Sequence, residues 1–177
     1  MLEEFERRLD EMDDWKDALL GTLSIESPER LAFRRDGKAW CALDVVRHLV
    51  LVEKAVVGYA RKKLQASPQP VPPLDRAKLA LLTVVLRSPL RFRVPVPAVI
   101  PEETFPLAEL SDQWKKVRGE LREILGSLPE ERRKTLLFRH PIGGALDPRG
   151  TLDFVHEHAK HHDAQIRRIR RAPGVPA

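Results

Sequence analysis

The chain has one cysteine, Cys41, among its 177 residues. A disulfide framework is therefore excluded, and a reducing cytoplasm is the compartment that fits best. Long apolar runs are also missing. The longest, LALLTVVL from Leu79 to Leu86, is far shorter than the roughly 20 residues a membrane-spanning helix needs. The N-terminal stretch MLEEFERRLDEMDDW is acidic and amphipathic, unlike a signal or transit peptide. The charge excess is small, a formal +5. Much of it lies in RRIRR, Arg167 to Arg171, where positive residues suit a helix C-terminus. No recognition motif and no interleaved aromatic pattern accompany that charge, so nucleic-acid binding is not expected. No internal repeat appears, nor any alternating run long enough to build a sheet.

What is present is helical periodicity. The 42% hydrophobic fraction suffices for a core, and 32% charged residues suit a soluble protein. The length fits one domain over residues 1–177. Leu2, Phe5, Leu9, Met12, Trp15 and Leu19 recur at steps of three and four, which predicts an amphipathic helix ending near Gly21. A short helical turn is expected after Pro28. A second long helix is predicted from about Ala42 to Leu64, ending before SPQPVPP, which cannot continue it. Residues 75–87 allow a shorter helix. The stretch SPLRFRVPVPAVIPEETF reads as an extended arm, since each proline pushes its predecessor out of helical space. A further helix begins near Pro106 and stops around Gly126. The loop containing HPIGGALDPRG leads to a last helix, Thr151 to about Arg171, with Thr151 as its N-cap. The expectation is an all-α four-helix bundle with a long proline-rich crossover between its second and third helices.

Four of the six histidines lie in HEHAKHHDAQI, residues 156–166. Successive helical residues turn by about 100°, so their directions can be compared. Phe154, Val155, Ile166 and Ile169 define an apolar stripe that includes His158. His162 lies about 40° from His158, inside the stripe, and His161 lies at its border, about 60° away. His156 points about 160° away, towards Lys160, Asp163 and Arg167, and is expected to be solvated. In the second helix His48 shares a face with Val45, Leu49, Val52, Val56 and Tyr59, while Val46, Arg47, Glu53 and Lys54 point elsewhere.

A lone core-facing histidine usually means a satisfied polar residue, but three alter the balance. Each unpaired buried polar group costs roughly 1–3 kcal/mol. Protonating several together would place like charges in low dielectric. A divalent cation removes both difficulties. Histidines at i and i+4, with a third from a facing helix, form a three-ligand set with open positions for water or substrate.

The residues WCALDVVRHL (Trp40 to Leu49), HPIGGALDPRGTLDFV (His140 to Val155) and HEHAKHHDAQI resemble the DinB/YfiT-like superfamily. That family's pattern has a tryptophan eight residues before a histidine, here Trp40 and His48. It continues with an "hp-G" loop and closes on HxxxHxxQ, here His158, His162 and Gln165. The resemblance implies a four-helix bundle in up-down-down-up order. It implies a metal, often nickel or zinc, on the residues corresponding to His48, His158 and His162. Characterised members include thiol-cofactor transferases and a mycothiol-dependent isomerase, and many members have no assigned reaction.

Around the three ligands, Gln165 lies about 20° from His158 and could hold a metal-bound water, or pair with backbone instead. Asp44, one turn before His48, could orient its ring, or serve as a first-turn acid. His161 is a candidate for the pocket mouth, and His140 for a loop residue that reaches the site. Cys41, two turns from His48, reads as a packed residue, and the three tryptophans as packing.

A three-histidine centre lowers the pKa of bound water towards about 7, which supports hydrolysis. The same position could hold a low-molecular-weight thiol as thiolate for group transfer. No general-base carboxylate is evident beside the histidines, unlike an HExxH site. The expected activity is thus a metal-dependent hydrolase or thiol transferase acting on a small molecule. A non-catalytic metal-binding or stress-associated bundle is the alternative. The apolar residues of the arm, including Phe92, Val94, Val96, Val99 and Ile100, have two natural places. They cover the bundle and pocket mouth, or they meet a second copy in a homodimer.

Overall fold

The computed structural model describes residues 2–37, 39–88 and 96–176. Those residues are largely helical, with one small two-stranded sheet among them. Helix α1 spans Glu3–Ser24, α2 Pro28–Leu31, α3 Ala42–Leu64, α4 Pro73–Arg87, α5 Leu107–Gly126 and α6 Pro148–Arg170. Strands β1 (Phe138–His140) and β2 (Gly144–Leu146) form an antiparallel hairpin. Among the described residues no helix is long and apolar enough to cross a membrane.

The periodic residues place the long helices. Phe5, Leu9, Met12, Leu19 and Leu23 are the buried stripe of α1, and this helix packs on α5 and α6. Helix α3 also packs on α5 and α6, and touches β1 and a 3-10 turn at Pro97–Val99. Contact on so many sides explains why Val46 and Glu53, expected off the core face, are buried. Glu53 is only 2% exposed, so its carboxylate needs partners. Arg118 supplies two hydrogen bonds, at 2.9 Å from Nε and 2.6 Å from Nη2, and Trp114 Nε1 donates a third at 2.8 Å. Arg118 also reaches Asp13 at 3.0 Å, tying α1, α3 and α5 together.

Three local expectations are corrected. Helix α1 continues one turn past Gly21, which has nothing near the position of a Cβ and no left-handed φ. Helix α6 starts at Pro148, not Thr151. Its N-cap is Asp147, whose side chain accepts from Gly150 N at 2.8 Å, and Pro148 occupies the first helical position, where no N–H is needed. Thr151 instead lies in the first turn and donates its hydroxyl to Asp147 O. The loop holding HPIGG is a β-hairpin, with strands of three residues too short to show a period of two. Of the expected extended arm, residues 89–95, including Phe92 and Val94, lie outside the described residues. Its later part forms the 3-10 turn, with Val99 buried.

The hairpin is held by Asp75 of α4, which accepts from Ala145 N at 2.9 Å and pairs with Lys78 at 2.8 Å. Its pKa is lowered by Lys78 and by the Ala145 amide. Gly144 has φ of 75°, and a Cβ there would stand 2.5 Å from the Asp75 carboxylate. Gly144→Ala should therefore destabilise the protein by roughly 2–3 kcal/mol, from the left-handed backbone and the displaced carboxylate. Thermal melting would show this, and an unchanged midpoint would mean that the turn relaxes freely.

Candidate metal centre

His48 sits in the second turn of α3, and His158 and His162 lie one turn apart on α6. The packing of α3 on α6 brings the three together. His48 Nε2 and His158 Nε2 are 3.3 Å apart, and His162 Nε2 and His158 Nε2 are 3.2 Å apart. Two imidazole nitrogens on a tetrahedral ion, each at about 2.0–2.1 Å, stand roughly 3.3–3.4 Å apart. The spacing thus suits a shared cation.

The far side of two rings fixes which nitrogen is free. His48 Nδ1 donates to Val99 O at 2.7 Å, and His162 Nδ1 donates to Gln165 Oε1 at 2.7 Å. A neutral imidazole carries one N–H, so both Nε2 atoms present lone pairs. His158 between them has one proton at most to offer while neutral. One proton directed at one neighbour leaves a lone pair facing a lone pair at the other. A cation removes that conflict, and a carbonyl or amide oxygen behind a ligating histidine is the usual means of holding its ring.

Burial keeps the set neutral. It pushes His48 below its ordinary pKa, against the opposing effect of the Val99 carbonyl. It pushes His162 down to about 3, with the His48 charge adding to the effect. His158 is driven well below the ordinary value by burial and then by repulsion from His162 and His48. Neutral imidazoles are the form that binds metal.

Trp40 lies against His48, ring centroids 5.1 Å apart, and Phe154 lies 5.4 Å from His158. Gln165 meets the ring of His162. His161 donates from Nδ1 to Leu86 O at 2.8 Å, fastening the end of α4 to α6, and its ring stands 5.4 Å from His162. Asp44 is turned away from His48. It accepts from Cys41 N, Arg34 and Thr104, each at 2.9 Å, which makes it the first-turn acid of α3. Cys41 is fully buried at the N-cap. His156, expected in solvent, is 5% exposed, because α1 covers that side of α6 and Arg8 donates to its Nδ1 at 3.2 Å. Glu157, between two histidines in sequence, is held by Arg87 at 2.6 and 2.9 Å, and that pairing lowers its pKa. Among the described residues the three-histidine group includes no carboxylate.

Val99 holds the ring of His48 through its backbone oxygen from 51 positions away, and no side-chain pattern signals a backbone acceptor.

The DinB superfamily pattern matches residues 4–166, most of the chain and all three histidines. The chain belongs to the DinB superfamily. No curated protein and no solved structure matches it. Superfamily membership and the three-histidine cluster are both compatible with a divalent-metal site in this DinB-superfamily chain.

Proposed function

We propose that His48, His158 and His162 bind one divalent ion, zinc or nickel, and that the centre serves hydrolysis or thiol-dependent group transfer on a small molecule. The observation that carries this reading is the convergence of three Nε2 atoms while two of the Nδ1 atoms already donate to oxygens. Bound there, the ion would supply a Lewis acid able to activate water or a low-molecular-weight thiol. The residues do the rest. Val99 and Gln165 hold two rings in the ligating tautomer. Trp40 and Phe154 wall the cluster with aromatic surface, which limits water and suits an apolar part of a substrate. With three protein ligands and no carboxylate among them, the histidines would leave a bound ion able to take an exogenous group.

The same reading takes the up-down-down-up helix order, a cytoplasmic setting and a homodimer as its working form. The dimer rests on the apolar surface of α4, where Leu74, Leu81 and Val84 are exposed.

Elemental analysis after purification without chelator tests the metal assignment. About one ion per chain is expected in the unmodified protein and in His156→Ala. The double variant His158→Ala/His162→Ala should carry almost none. Full retention in the double variant would sink the assignment. A chelator-sensitive activity in screens of ester hydrolysis and thiol transfer is expected to follow the same variants. Metal-bearing protein with no such turnover would leave a binding bundle in place of an enzyme.

A further inference from the structure

His140 has no task in the metal reading, yet the fold constrains it closely. It ends β1, and its Nδ1 accepts from Gly143 N at 2.8 Å and from Ile142 N at 3.1 Å. A nitrogen that accepts N–H groups carries no proton, so the neutral ring is protonated on Nε2. Burial pushes its pKa down to about 4, which keeps the ring neutral near pH 7. Nδ1 faces the hairpin's own turn, so the Nε2–H points away from it. Among the described residues no hydrogen-bond acceptor meets that Nε2–H.

The ring packs on Phe154, the residue that in turn packs on His158. Its centroid is 4.5 Å from that of Phe154, which stands one turn before His158 and 5.4 Å from it. A charge on His140 is felt at His158. Gly143 makes the arrangement possible: a Cβ there would stand 3.3 Å from His140 Nδ1 and 3.0 Å from Leu82. The hairpin thus fixes both the ring's position and the atom that bears its proton.

We propose that His140 Nε2–H is a hydrogen-bond donor to a small anion, such as a thiolate or carboxylate, bound beside the His48–His158–His162 cluster. The proposal rests on the metal reading above. It adds a fourth functional histidine from the hairpin, outside the ligand set. Its class of ligand is anionic because a bound cation and an N–H donor from a different element would both favour negative charge there.

Cobalt-loaded protein titrated with azide gives the test, with visible absorption as the readout. His140→Phe keeps an aromatic ring beside Phe154 and removes the donor. It should retain about one cobalt per chain and bind azide about tenfold more weakly, the effect of one lost hydrogen bond to a charged group. His140→Gln, which restores an N–H, should recover part of the affinity. Gly143→Ala should weaken azide with His140 still present. Nitrogen NMR of the metal-free protein should show the Nε2–H tautomer. Equal azide affinity in the unmodified protein and His140→Phe would overturn the proposal, as would an Nδ1–H tautomer. If the unmodified protein shows no cobalt spectrum before azide is added, the metal reading itself has failed and this proposal falls with it. Should His140→Phe not fold, the comparison of His140→Gln and Gly143→Ala with the unmodified protein decides.

Discussion

Arg118→Met should cost about 3–5 kcal/mol of stability, the usual consequence of stranding one member of a buried ion pair. Arg118 is 3% exposed and Glu53 2%. Burial opposes the charge on Arg118, but Glu53 and Asp13 outweigh it and raise its pKa. Without the guanidinium, Glu53 keeps only Trp114 Nε1 as a donor among the described residues. Asp13 fares better, because Arg122 and Lys16 still reach it at 3.0 and 3.1 Å. For a chain of this length the melting temperature should fall by roughly 6–20 °C. The double variant Arg118→Met/Glu53→Met removes both charges and should recover much of the loss, leaving mainly the orphaned Trp114 N–H. Denaturant titration of the three proteins separates the terms. A single variant within about 1 kcal/mol of the unmodified protein would show that water reaches the pair.

The metal-free protein should also lose stability steeply below neutral pH. His48, His140, His156, His158 and His162 all have pKa values lowered on folding, with burial the leading cause. The unfolded chain therefore takes up protons first as the pH falls through about 6.5. Stability is full above that value and drains away towards the folded-state values, about 4 for His140 and about 3 for His162. At pH 5 each of these two should already cost about 2 kcal/mol, and the other three add to the loss. A zinc excess of about 100 times Kd would restore about 2.7 kcal/mol where the ion still binds. Melting curves at pH 7, 6 and 5, with and without zinc, check this. A melting temperature that stays flat from pH 7 to pH 5 without metal would contradict the burial of these rings.

Most of the fold was legible because the signals were local. The proline-rich stretch after Leu64 stops α3, and the apolar steps in α1 and α5 mark their faces. The core-facing direction of His48, His158 and His162 followed from helical geometry alone. The errors arose where a second surface mattered. A single apolar stripe on α6 puts His156 in water, but α1 lies on that side and buries it. Glu53 looks like a surface acid until Arg118 and Trp114 of α5 are placed beside it. Asp147 and Pro148 precede the stripe of α6, so its periodicity places the start of that helix three or four residues late. The hairpin could not be read from periodicity, since each strand has three residues and its register depends on Asp75 of another element.

X-ray absorption of the zinc-loaded protein reads the ligand set of the centre itself. Three imidazole nitrogens are expected at about 2.0–2.1 Å around one ion per chain, with at least one of them lost in His48→Ala. An ion whose coordination shell lacks three imidazoles, or a shell unchanged in His48→Ala, would contradict the three-histidine centre.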